Sequence, residues 1–317
     1  LVIWKGWDFF PHGTSIDFMR WKGVCLAASI VAMAISLVLF FVPGLNYGID
    51  FKGGTLIEIG SRSGPIDIGD VRARLSSLGL GDVQVQEFGR PEDVLIRVES
   101  QPGDDQAQLA VVNKVKAVLG DVFDYRRTEV VGPAVSEELR TTGIIAVLVS
   151  IVAICAYVWF RFEWQFAAGV VIALFHDVLL TIGVFAVSHM EFDLSVVAAL
   201  LTIIGYSVND SVVVSDRIRE NLRKYKKLPL NELLNLSVNE TLSRTILTGG
   251  ATVFVLLCLL FLGGAVIFPF TFAILFGILV GTYSSIFVAA PVLDYFKVKR
   301  DWASGGPRPK GQAKPAV

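Results

Sequence analysis

Apolar and polar residues are segregated along this chain into long blocks. Six apolar runs, at residues 24–42, 142–160, 166–187, 194–214, 245–262 and 268–293, each come close to or exceed the roughly 20 residues an α-helix needs to cross the hydrocarbon core of a bilayer. Pro291, near the end of the sixth run, predicts a kink or a stop there. The connections between runs alternate in character. One set carries Lys5, Arg20 and Lys22, then Arg161, then the basic cluster at 217–227, then Lys297, Lys299 and Arg300. The short connections of the other set, 188–193 and 263–267, contain no Lys or Arg. Positive charge is retained on the cytoplasmic side. The expected topology therefore has cytoplasmic segments 1–23 and 294–317, a first span at 24–42 and an external segment at 43–139. Spans two to six follow within 140–293, with a cytoplasmic loop at 216–244.

The external segment has a different rhythm. β-branched, partly alternating stretches at 54–59, 83–88, 94–99 and 123–131 predict four strands. Between the first two, Asp67 or Asp70 begins a helical pattern through Val71, Leu75 and Leu78 that Gly79 stops. Between the last two, Asp104 or Asp105 opens a second one through Leu109, Val112, Val115, Val118 and Leu119. The order β-α-β-β-α-β is the split βαβ, ferredoxin-like arrangement. The expected fold is a membrane all-α six-helix bundle with an inserted α+β ferredoxin-like external domain.

Composition agrees: 53% of residues are apolar and 18% charged, too oily for a soluble chain of this length. A net charge of −1 argues against a nucleic-acid partner, whose basic footprint would show in the total. Cys25, Cys155 and Cys258 all fall inside apolar runs and read as small buried hydrophobes rather than a disulfide framework. The first run is too long for the h-region of a signal peptide and lacks a small-residue cleavage site after it, so a retained helix is expected. The chain opens on Leu1 and not Met, and its true start is expected upstream. No nucleotide-binding glycine loop, zinc spacing or nucleophile elbow is present, so neither an enzyme nor a cofactor or metal site is expected. Gly53-Gly54 lacks the Gly-Lys-Ser/Thr ending of a phosphate loop.

Polar residues inside the runs are the informative ones, because a charge at the centre of a span costs roughly 2.5–3.5 kcal/mol on insertion scales. The third run holds His176 and Asp177, and the fourth holds Tyr206, Ser207, Asn209 and Asp210. In the fifth, Arg244 is followed by Thr248 and Thr252 at helical spacing. Asp210 lies about six residues, or about 9 Å, from the cytoplasmic end of its helix. Arg244 lies at the same end of the next, antiparallel helix, so the two could meet. A carboxylate beside an arginine keeps its charge, and one deprived of it in hydrocarbon favours the protonated acid. Such a pair is either a proton carrier or a static bridge that fixes packing. Adjacent residues point about 100° apart on a helix, so His176 and Asp177 cannot both face one partner. His189, Glu191 and Asp193 fall in an external loop and are expected to be solvated. Gly277 and Gly281 read as a helix-packing pair. Trp4, Trp7, Trp21, Trp159, Trp164 and Trp302 read as interfacial anchors, the 217–227 cluster as a topology determinant that also touches anionic membrane lipids, and the tail from Ala303 as disordered.

Several stretches together resemble the SecD/SecF family of protein-export membrane subunits, on its SecF side. They are Gly48-Ile49-Asp50-Phe51-Lys52-Gly53-Gly54-Thr55 after the first run and Val131-Gly132-Pro133-Ala134-Val135 with Glu138-Leu139 before the second. Further in come His176-Asp177, the fourth-run stretch from Gly205 to Glu220, and Thr241-Leu242-Ser243-Arg244-Thr245-Ile246-Leu247-Thr248. Ser211 and Ser215 depart from the threonine and phenylalanine common there. The resemblance implies half of an RND-type transporter, paired with SecD as a heterodimer. The pair would use the proton gradient to help unfolded polypeptide complete translocation through SecYEG with the SecA motor. It also implies Asp210 and Arg244 as the proton-coupling pair, with Asn209, Tyr206, Ser207 and Thr248 in the same polar seam and His176 and Asp177 as contributors. An RND-type exporter of small molecules or lipids, or a purely structural assembly factor, would be built from similar parts.

Overall fold

The computed structural model describes residues 15–62, 64–103 and 105–298. Lys5, Trp4, Trp7, Asp104, Lys299, Arg300, Trp302 and the tail from Ala303, all given roles above, lie outside the described residues. A single turn, Met19–Trp21, leads into helix α1 (Lys22–Phe41). A two-residue strand β1 (Asn46–Tyr47) and a one-turn helix α2 (Ile49–Lys52) follow. The inserted domain then runs β2 (Gly54–Ser61), α3 (Ile68–Ser76), β3 (Val83–Phe88), β4 (Arg90–Val98), α4 (Asp105–Leu119) and β5 (Phe123–Val131). Three long helices come next, α5 (Pro133–Arg161), α6 (Trp164–Ser188) and α7 (Leu194–Lys224), with strand β6 (Glu191–Phe192) between the last two. Helix α8 (Leu230–Leu262) and helix α9 (Phe268–Ser284) complete the bundle. A π-helical turn, Ser285–Ala289, joins α9 to the short α10 (Ala290–Tyr295). Among the described residues six stretches are long and apolar enough to cross a membrane, and the chain is a multi-pass membrane protein.

The head sheet has strand order β3-β4-β2-β5 and is antiparallel throughout, the expected split βαβ arrangement. Alternation along β2 sends Ile57 and Ile59 to one face, where Val71 and Leu75 of α3 and Val111, Val115 and Leu119 of α4 bury them. Leu56 goes to the other face with Leu95 and Ile49. Asp67 caps α3, accepting hydrogen bonds from Gly69 N and Asp70 N. Gly54 has φ +120° and lies so close to the Val98 carbonyl that a Cβ would collide with it, which is the physical use of the Gly53-Gly54 pair.

Residues 216–244, expected to form a loop, are mostly helix. Helix α7 runs on to Lys224 and α8 starts at Leu230. The helical period does not stop where the apolar run does: Ile218 and Leu222 pack with Leu233, Leu234 and Val238, and Asn221 donates to Ser237 and Glu240 across the pair. Asn235 and Asn239 tie the chain's first described residues to this hairpin by accepting from Met19 N and Ile16 N. Within the bundle α6 and α7 are central, whereas α1, α5 and α8 turn apolar faces outward. Cys258 is exposed on α8 and not buried, on one of those outward faces. Gly277 meets Ile203, and Gly183 meets Ser36. These are backbone-close helix crossings of the kind small residues permit.

Of the residues expected to be solvated in the 188–193 connection, His189 is exposed, but Glu191 and Asp193 are partly buried and engaged. Strand β6 pairs in parallel with β1, and Arg97 of β4 reaches Glu191 at 2.6 Å with side chains only 11% and 19% exposed. Asp50 accepts from Leu194 N, and Asp193 caps α7 by accepting from Val196 N. The inserted head is thus clasped to the bundle by an ion pair. Burial pushes the Glu191 carboxyl above the usual glutamate range; the Arg97 guanidinium opposes this, and Asp193 and Asp50 add to it. A folded-state value above the unfolded one means that stability rises as pH falls through that range and that neutral pH withholds the gain.

Arg97→Ala leaves a mostly buried carboxylate without its cation and should cost about 2–3 kcal/mol near neutral pH, less than a fully buried pair because Glu191 keeps some water. Glu191→Gln resembles the protonated form and should cost less than about 1 kcal/mol. At about pH 5, close to the ordinary glutamate range of about 4.3, the Arg97→Ala penalty should shrink. Thermal unfolding of the two variants at both pH values checks this, and equal, pH-independent losses contradict it. Gly277→Val should overpack the α7–α9 crossing by about 1–3 kcal/mol, read in the same measurement.

Candidate functional site

Two carboxylates are buried in the centre of the bundle. Helix α6 places Asp177 and helix α7 places Asp210 on inward faces, fully buried and 9% exposed respectively. Asp210 Oδ1 accepts from Thr245 Oγ1 of α8 at 2.7 Å, and its Oδ2 accepts from Ser285 Oγ of the π turn at 2.6 Å. Asp177 Oδ2 accepts from Ser284 Oγ at 2.8 Å and from Ser207 Oγ. Its Oδ1 lies 2.8 Å from His176 Nδ1. Every carboxylate oxygen therefore has a hydrogen-bonding partner, which is how burial of such a group is made bearable. Apart from His176 with Asp177, no basic side chain forms an ion pair with either of them among the described residues.

His176 and Asp177 are adjacent on one helix and bond to each other, so the pair acts as a unit. The His176 ring lies over Tyr283 with centroids 6.0 Å apart, and its Nε2 is buried without a partner. The Tyr283 hydroxyl donates to the Cys25 carbonyl of α1 at 2.9 Å and lies 3.1 Å from Ser29 Oγ. Helix α9 comes this close because Gly281 faces the site: a Cβ there would stand 3.3 Å from Ser207 Cβ and 3.5 Å from Asp177 Oδ2.

The expected Asp210–Arg244 bridge is not formed. Thr245 faces Asp210, and its neighbour Arg244, about 100° round the helix, stands exposed. Asn209 and Thr248 are exposed as well. Tyr206 is half-buried along α8, its hydroxyl 3.5 Å from where a Cβ on Gly249 would be. The structure thus gathers His176, Asp177, Ser207 and Asp210 into the interior and leaves Asn209, Arg244 and Thr248 on outer faces. Two participants, Ser284 and Ser285, went unremarked in the sequence, and Thr245 stood there only within the stretch Thr241 to Thr248. For the two serines, the run Thr282-Tyr283-Ser284-Ser285, four consecutive polar residues in a mostly apolar span, was the available signal.

Residues 111–299 match the family model described as protein export membrane protein SecD/SecF, C-terminal, and residues 38–63 match the SecD/SecF GG motif. The protein translocase subunit SecF of Rhodobacter capsulatus is 49% identical over 92% of this chain and 93% of its own length. The protein translocase subunit SecDF of Brucella abortus is 45% identical over 91% of this chain. The crystal structure of SecDF from Thermus thermophilus, described as a translocon-associated membrane protein, superposes with a TM-score of 0.81 at 37% identity over 90% of this chain. The chain spans 38% of the Brucella SecDF and 40% of the Thermus one. Family models covering both the GG motif and the helical half, with relatives matched nearly end to end, place this chain in the SecD/SecF family of protein-export membrane proteins.

Proposed function

We propose that this chain is a proton-driven protein translocase subunit. It pairs with a SecD-type second half and promotes late steps of polypeptide translocation across a bacterial inner membrane. The observation that carries this reading is Asp210: a carboxylate at spanning depth, buried, held by two hydroxyls and no cation. Buried ionisable groups in spans are by default sites of ion or proton movement. Arg244 supports the pairing. It is exposed beside the apolar length of α8 with no ion-pair partner among the described residues, and a cation on a lipid-facing surface is costly. A second six-span half docking on α7 and α8 would cover Arg244, Asn209 and Thr248. A small relative movement of the two helices would then bring Arg244 to Asp210 or withdraw it.

In the cycle we propose, a proton reaching Asp210 from the external side neutralises it and weakens its hold on Thr245 and Ser285, because charge-assisted hydrogen bonds are roughly twice as strong as neutral ones. Helices α7, α8 and α9 repack, and the movement reaches the head through the Arg97–Glu191 clasp next to the start of α7. Release of the proton on the cytoplasmic side resets the bundle. The head lies on the external face and both termini on the cytoplasmic face, the orientation that the basic connections favour. Polypeptide would be handed over from SecYEG and the SecA motor, and the basic end of α7 would contact anionic lipid headgroups.

The test is gradient-dependent release of a late translocation intermediate, with co-purification of the SecD-type partner as the control for folding. Asp210→Asn should bring release down to the level seen without a gradient while the complex stays intact. Normal release would make Asp210 structural. Arg244→Gln should have the same effect on release and, as it lies at the proposed contact, should also weaken co-purification.

A further inference from the structure

Two consecutive hydroxyls, each with two acceptors, stand between the buried acids. Ser284 is 2.8 Å from Asp177 Oδ2 and 3.1 Å from the Gly281 carbonyl; Ser285 is 2.6 Å from Asp210 Oδ2 and 3.0 Å from the Thr282 carbonyl. A hydroxyl has one hydrogen to donate, so each serine satisfies the acid or its own helix, never both. The charge of the acid decides which. An ionised carboxylate only accepts and takes the serine's hydrogen. A carboxylic acid whose hydrogen sits on Oδ2 and points at the serine makes the serine oxygen the acceptor, and the serine's own hydrogen then turns to the carbonyl three residues back. Each serine therefore reports one acid's protonation state to the backbone of the sixth span.

That backbone is where the helix is least regular. Ser285 opens the π turn, and Pro291 follows it. Proline has no N–H, and its ring crowds the carbonyl four residues earlier. A π turn is a local alternative to the α-helical ladder and often marks a functional site. Changing the acceptor of Ser284 or Ser285 loads the carbonyls of Gly281 and Thr282 at the point where the ladder changes pitch.

Resting on the reading that Asp210 carries a translocated proton, we propose that Asp177 with His176 is a second proton-accepting site, and that Ser284 and Ser285 couple its state to that of Asp210. A proton arriving there adds to Asp177, which becomes a carboxylic acid beside a neutral His176 imidazole. His176 Nε2, buried with no partner, is a free ring nitrogen in that pair. Other titratable or charged groups near the two acids are Tyr206 on α7, Tyr283 on α9, Cys25 on α1 and the exposed Arg244 on α8. Ser284 and Ser285 are positioning residues: they transmit a charge state and do not carry the proton away.

Infrared difference spectra of the full chain with its partner half in lipid nanodiscs, titrated over pH, read buried carboxyl groups directly. Two titrating carboxyl bands are expected, one abolished by Asp177→Asn and the other by Asp210→Asn. Removing either acid should move the midpoint of the other by about one pH unit or more, the interaction that defines coupled sites. In the Ser284→Ala/Ser285→Ala background that shift should fall below half, while Ser284→Thr/Ser285→Thr, which keeps both hydroxyls, should restore it. No band lost in Asp177→Asn, or an undiminished shift without the serines, overturns the proposal. If Asp210→Asn removes no band but Asp177→Asn does, the proton-carrier role of Asp210 is what fails.

Discussion

The architecture depends on one constraint: two carboxylates buried among apolar helices must find hydrogen-bond donors, and apart from His176 on Asp177's own helix the donors here are hydroxyls. A hydroxyl on Ser or Thr extends only one bond beyond Cβ, so a helix that supplies one has to come close. That requirement accounts for Gly281 facing Ser207 and Asp177, for the crossing at Gly277 against Ile203, and for the central position of α6 and α7. Longer donors such as Lys or Arg would have let the helices stand apart and would have fixed the charge of the acids permanently. Hydroxyls do neither. They hold a carboxylate firmly and a carboxylic acid more weakly, by exchanging the roles of donor and acceptor.

A second constraint joins the head to this interior. The inserted domain has a core of its own between its sheet and two helices, and its opposite face looks toward the bundle through Leu56, Leu95 and Ile49. Apolar contact of that size alone would let it rock. The β1–β6 pairing and the Arg97–Glu191 bridge add directional bonds at the start of α7, the same helix that carries Ser207 and Asp210. The clasp adjoins the start of α7 directly, and Leu194 N is itself held by Asp50 of α2.

The strands and spans could be read from the sequence because both are announced by local periodicity: alternation in β2 and β4, and length of apolar run in the six helices. The polar hairpin at 216–244 could not be delimited that way. Its helical stripe of Ile218, Leu222, Leu233, Leu234 and Val238 is sparse, and the abundance of Arg, Glu and Asn reads as loop. At the site, Asp177, Ser207 and Asp210 were evident as polar residues in apolar company. Their partners were not, because Thr245 and Ser285 lie 35 and 75 positions from Asp210 and no local pattern encodes that distance. The Arg244 pairing failed for a related reason. Equal depth in neighbouring helices says nothing about azimuth, and the residue facing α7 is Thr245.

Azimuth also explains why one face of this bundle calls for a protein partner. With Thr245 turned inward, Arg244 has to look outward, and Asn209 does the same from α7. A single six-helix chain in lipid would gain by exchanging both for apolar residues, so keeping them makes physical sense only if that face meets protein. The fused relatives, in which a chain of this length forms about two fifths of the whole, carry additional sequence that could supply such a face. Under this reading the cation needed to balance Asp210 is deliberately kept off it in the isolated half. The hydroxyl pair holds the acid, and under the proposed function the encounter with Arg244 becomes an event of the assembled pair.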